Sequence, residues 1–163
     1  MGGAMADGLY DADVLAWSEH QAALLRRLAR GERLNESIDW AHVIEEVQDV
    51  GLSELRACRS LLRQAMVHLL KLHLEPDSQA ASHWMGEVAR FLADARDAFA
   101  PSMRQRIDLP DLYADVLYRL RVSSGGQVDL RLPETCPFVL DDLLAREPDI
   151  APLVATLGAD AAG

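Results

Sequence analysis

Between residues 39 and 76 the stretch DWAHVIEEVQDVGLSELRACRSLLRQAMVHLLKLHLEP gathers three of the chain's five histidines, His42, His68 and His73, with the adjacent pair Glu45 and Glu46. Imidazole nitrogens and carboxylate oxygens bind iron, zinc and manganese and serve as general acids and bases, so metal chemistry is the first to weigh. Carboxylate-bridged di-iron bundles take Glu-x-x-His from two helices and further glutamates from two others. No Glu-x-x-His occurs here: His42 and Glu45 reverse the order, and His-Glu-x-x-His is missing too.

The element that must position these groups narrows the choice. Trp40, Ile44, Val47, Gly51, Leu55, Cys58, Leu62, Ala65, Leu69 and Leu72 follow one another at steps of three or four. That phase predicts one helix of about 35 residues, some 50 Å long, behind an Asp39 cap and stopped by Pro76. A break at Gly51 with Ser53 capping a second helix is the rival. In a continuous helix Glu46 and His68 lie about 33 Å apart, and a fold-back at Gly51 still leaves them about 15 Å out of step. His68 can instead meet a third helix that returns after Pro76, opposite His83 and Glu87, which share a helical face. A divalent transition metal held by His68, His83 and Glu87 is therefore the alternative to no cofactor at all. Against it stand surface positions for His83 and Glu87 and a packed, hydrogen-bonded His68 at the edge of the apolar stripe.

Nucleophilic chemistry finds less support. Cys58 falls within the apolar stripe, and Cys136 sits before Pro137 with no basic neighbour to lower its pKa. Its expected role is to anchor an extended segment, 128–138, onto the helices. No serine stands in a Gly-x-Ser-x-Gly turn.

Around the long helix, apolar periodicity predicts helices over 13–30, 79–98 and 108–122 and a short one over 139–146. The fold expected is all-α: an antiparallel bundle of four main helices with a long second helix, plus a short C-terminal helix. Residues 1–9 are expected to be flexible, 10–146 to form one bundle, and 147–163 to be peripheral. Half of the 163 residues are hydrophobic, enough for a core without disulfides, and only two are cysteine. No signal-peptide pattern opens the chain and no run is long enough to span a bilayer, so a cytoplasmic protein with no membrane partner is expected.

The formal net charge is −10, and the long helix divides its charge. Glu36, Asp39, Glu45, Glu46, Asp49 and Glu54 come first with no Lys or Arg among them; Arg56, Arg59, Arg63 and Lys71 follow with no acid. The pattern matches the helix dipole, and salt bridges to other helices, such as the one bearing Arg26, Arg27 and Arg30, account for it as stabilisation. It also suits association: an antiparallel second copy sets acidic half against basic half, through Glu45, Glu46, Arg56, Arg59, Arg63 and Lys71. Part of a stripe this long lacks cover within one chain and would bury against a partner. Nucleic acid is disfavoured, because four cations without interleaved aromatics on so acidic a chain make a weak footprint.

In order along the chain, Ile38 to Trp40 (IDW), Glu45 to Val47 (EEV), Gly51 with Ser53, His68 to Lys71 (HLLK), Trp84, Pro101 to Met103 (PSM) and Cys136 to Phe138 (CPF) resemble the bacterial family known as domain of unknown function 29. The resemblance covers about residues 10–144. Val47 stands where the family often has Ile, and Leu52 where it often has a cation. The resemblance implies a helical bacterial domain and carries no activity, substrate or cofactor. Together these readings point to a non-catalytic interaction or assembly module whose partner is a second copy or another protein, with a divalent-metal bundle as the alternative.

Overall fold

In the computed structural model, residues 4–125 and 132–159 are described. All regular structure among them is helical: α1 (Ala4–Ala12), α2 (Val14–Ala29), α3 (Trp40–Leu74), α4 (Ala81–Ala98), α5 (Leu109–Ser123), α6 (Leu140–Leu143) and α7 (Ile150–Ala159), with a 3₁₀ turn at Pro101–Met103. The chain divides into two compact units, Met1–Leu52 and Ser53–Gly163.

Two of the main helices, α2 and α5, begin at the side-chain caps that the sequence offers. Asp13 caps α2 by accepting from Ala16 N at 3.0 Å, and Asp108 caps α5 by accepting from Asp111 N at 3.0 Å, with Pro110 in the first turn. Gly31, at φ 80°, takes the left-handed turn that ends α2. The helix α3 runs unbroken for 35 residues, so the phase kept through Gly51 reports one helix and not two. Glycine is tolerated there at a cost of about 1 kcal/mol relative to alanine.

In the first unit α1 packs on α2, and the buried residues among those described are Trp17, Gln21, Leu24 and Ile38. The helix α1 begins at Ala4, where the sequence predicts a flexible stretch to residue 9.

The second unit holds the main core. Leu55, Cys58, Leu62, Ala65, Met66, Leu69, Leu70 and Leu72 on α3 meet Val88, Phe91, Leu92 and Ala95 on α4 and Leu109, Leu112, Tyr113, Val116 and Leu117 on α5. Each aliphatic side chain buried this way stabilises the fold by about 1.5–3 kcal/mol. No strand forms among the described residues. Of the segment predicted as extended, 128–131 lie outside them; the rest is pinned by Tyr113, whose hydroxyl donates to Pro133 O at 2.8 Å while its ring meets Phe138 edge-on. Cys136 is a free, half-buried thiol in that segment.

The chain end departs from expectation. A peripheral tail is predicted over 147–163, yet α7 sends Leu153 and Leu157 into the core and packs on α4. The reason is a short amphipathic pattern, Ile150, Leu153, Val154 and Leu157, too brief to stand out without the surface it covers. Arg96 supports the approach by donating to the carbonyls of Ala145 and Arg146. Replacing Leu157, which is 0% exposed, by Ala should cost about 2–5 kcal/mol in urea unfolding. A loss below about 0.5 kcal/mol, the range of surface changes, would return α7 to the periphery.

Candidate functional site

Asp39 gathers four polar contacts in the first unit. Its Oδ2 accepts from Trp17 Nε1 at 3.0 Å and lies 2.7 Å from His42 Nδ1. Its Oδ1 accepts from His42 N at 3.4 Å at the start of α3, and its own N–H donates to Gln21 Oε1 at 3.0 Å. Gln21, from α2, is 2% exposed and the Asp39 side chain 6%. One residue thus caps α3 and ties it to α2.

Tyr10 brings in α1. Its ring stacks on His42 with centroids 3.9 Å apart and meets Trp17 edge-on at 4.8 Å, while its hydroxyl donates to Glu46 Oε1 at 2.6 Å. That hydrogen bond, more than burial, pushes the Tyr10 pKa up to about 12, so the phenol stays a neutral donor. For Asp39, burial pulls the pKa upward, but the hydrogen bonds from His42 and Trp17 together outweigh it and hold the carboxyl below its ordinary 3.8. An aspartate on Nδ1 of a histidine is half of a familiar catalytic arrangement. Here the phenol is committed to Glu46 and the carboxylate to indole, imidazole and helix cap. What the cluster does is fix three helices against one another.

The tie sets which way α3 faces. At about 100° per residue, His42 and Glu46 lie on the side opposite Trp40, Ile44, Val47 and Gly51. The polar side meets α1 and α2, and the apolar side is left out: Trp40, Ile44, Val47 and Val50 are 52, 55, 70 and 67% exposed. Beyond residue 53 the same stripe is buried within the second unit. Gly51 lies on the exposed part, with nothing within 4 Å of where a Cβ would be. The spacing made the stripe legible in the sequence, and its length implied that part of it would lack cover within one chain, without saying which part. Missed altogether was the Asp-x-x-His spacing of Asp39 and His42, one helical turn at a helix start, which was the available signal.

The other candidates fall out as follows. Glu45 is exposed, whereas Glu46, expected among solvated or salt-bridged groups, is bound by Tyr10. Arg27 and Arg30 close on Glu32. In the basic half of α3, Arg59 pairs with Asp111 at 3.0 Å, and Arg63 Nε lies 2.6 Å from Asp115 Oδ2, at an angle that makes an ion pair and not a hydrogen bond. Lys71 sits over the Trp84 ring at 5.8 Å, and Arg56 is exposed. His68 stacks on Phe91 at 5.8 Å, and its Nδ1 is buried with no hydrogen-bond partner among the described residues, contrary to the hydrogen-bonded histidine expected. Burial, and then Lys71, lowers the His68 pKa against the opposing pull of Glu87, so the ring is neutral. His83 is exposed and Glu87 is held by Arg90 at 2.8 Å. Among the described residues no three His, Cys, Asp or Glu side chains come close enough together to hold a metal ion.

A family model described as domain of unknown function DUF29 matches residues 9–147. Among solved structures the chain is similar to an α-helical protein of unknown function from Rhodospirillum rubrum, at 30% identity over 91% of this chain and 97% of that one, with a TM-score of 0.68. The comparison with curated proteins finds no match.

The tie has a pH signature. A carboxyl whose folded pKa is depressed contributes stability above its unfolded pKa and loses it as pH falls through the folded value. Asp39→Ala removes the cap and the charge-assisted bonds, and should cost about 2–4 kcal/mol at pH 7. Followed by Trp17 fluorescence in urea, the gap between native chain and variant should close progressively as pH falls from about 5 to below 3.8. A gap that does not change over that range would mean that the Asp39 charge contributes nothing to the tie.

Proposed function

The chain belongs to the domain of unknown function DUF29 family, and because that description assigns no activity, we propose from geometry that it is a protein–protein interaction module whose docking face is the exposed apolar stripe of α3. The carrying observation is the run Trp40, Ile44, Val47 and Val50, each more than half exposed on one rigid helix. Large side chains lined up at helical spacing form a contiguous patch, the kind that monomers rarely leave open. They also match the anchor spacing by which one helix docks on another. Gly51 supports the same reading, since the fold leaves open space where its side chain would be and a missing Cβ lets a second backbone approach.

The occupant proposed is a helix of another protein. An antiparallel second copy draws its charge match from the basic half of α3, but Arg59 and Arg63 there already face Asp111 and Asp115. Copies paired through residues 40–54 instead set carboxylates against carboxylates, which disfavours association.

Ile44→Asp with Val47→Asp should leave urea stability within about 0.5 kcal/mol, because both side chains are exposed. Capture from a lysate of the source organism, followed by reconstitution from purified components, should give a stoichiometric complex with the native chain and none with the double variant. A complex formed equally well by both, or by neither, overturns the reading. A dimer seen by light scattering for the native chain and lost in the variant would replace the proposed occupant with a second copy. Gly51→Ala should move stability and binding in opposite directions, stabilising the chain by up to about 1 kcal/mol while weakening the complex.

A further inference from the structure

The charge around the docking face carries the identity of its occupant a step further. From Trp40 to Leu55 the helix bears Glu45, Glu46, Asp49 and Glu54 and not one Lys or Arg. The first unit as a whole has ten acidic residues against four basic ones, Arg26, Arg27, Arg30 and Arg33, and two of these four are held by Glu32. Glu54 falls on the edge of the stripe itself, between Val43 and Val47 on the helical wheel, and is exposed. Glu45 lies about 130° round the helix from the middle of the stripe, as far to one side as Glu46 is to the other. On a helix about 10 Å across, Glu54 stands beside a docked partner, while Glu45, Glu46 and Asp49, farther round, act on it through the acidic field of the unit.

Resting on the reading of the stripe as a docking face, we infer that its partner is a cationic amphipathic helix: apolar residues three and four apart on one side, with Lys or Arg along the borders. The exposed stripe from Trp40 to Gly51 is about 16 Å long, so three turns of partner helix cover it. Apolar contact with Trp40, Ile44 and Val47 supplies affinity, and the carboxylates supply orientation and attraction at a distance. The same field turns away nucleic acid and anionic lipid surfaces, which present phosphates. Of the chain's own cations on α3, Arg59 and Arg63 are already neutralised by α5.

The test uses a designed 18-residue helical peptide with Leu at every third or fourth position and Lys on both borders, beside the same peptide with Glu for Lys. Trp40, being half exposed, should shift its emission to the blue when covered, and Trp40→Phe should lose that shift. The Lys peptide should bind with 1:1 stoichiometry by calorimetry, at least tenfold more weakly at 300 mM than at 50 mM salt. The Glu peptide should not bind. Glu54→Gln should weaken the Lys peptide severalfold at unchanged thermal midpoint, and Ile44→Asp should abolish binding. If both peptides bind alike, or salt and the Gln substitution have no effect while Ile44→Asp still abolishes binding, the cationic partner is overturned and the docking face stands. If neither peptide binds at millimolar concentration, the cationic partner is overturned. If the Lys peptide binds equally well to Ile44→Asp, the docking face falls as well.

Discussion

Everything distinctive in the first unit follows from one buried carboxylate. Asp39 is nearly enclosed, and an enclosed charge is costly unless its lone pairs are filled. They are: Trp17 reaches it from α2, His42 from α3, and the start of α3 closes on it as a cap. Because a hydrogen-bonded charge tolerates little displacement, the three groups fix both the point at which α3 begins and the rotation of the helix about its axis. Tyr10 then locks that rotation from α1, its ring on His42 and its hydroxyl on Glu46.

The consequence is a helix that is inside-out over its first turns. Ordinarily an amphipathic helix turns its apolar side to its own chain. Beyond residue 53 α3 does so, and Leu62, Ala65 and Leu69 are fully buried. Before residue 52 the polar tie takes the inward side and leaves Trp40, Ile44 and Val47 facing out. Such a surface works against solubility, which is why a stripe of this kind is best understood through what covers it. The −10 net charge works in the other direction, since like-charged copies repel, and in the reading proposed above it favours a partner of opposite sign.

Charge in the second unit has a plainer role. The cations that follow Leu55 on α3 look, in the sequence, like half of a self-complementary interface. Arg59 and Arg63 meet Asp111 and Asp115 instead, and Arg119 joins the same Asp115. Exposed pairs of this sort add a few tenths of a kcal/mol up to about 1 each. Their larger effect is to neutralise one helix face with another. His68 is likewise drawn into packing, stacked on Phe91 with its Nδ1 enclosed.

Helix boundaries, caps and the continuity of α3 were readable from residue order, because caps, glycine turns and apolar phase are local properties. Asp13, Asp108 and the steps from Trp40 to Leu72 determined them without help from the rest of the chain. So was the family, from words scattered over most of the length. What order alone did not determine was the side of α3 that each half presents. An apolar stripe specifies that a helix has a face, and only the neighbours decide whether that face is covered. The placement of α7, whose pattern is too short to register until Leu153 and Leu157 meet the core, was decided in the same way. So was the joining of Tyr10, Trp17, Gln21, Asp39 and His42 into one tie, since five residues spread over 33 positions become neighbours only when three helices pack.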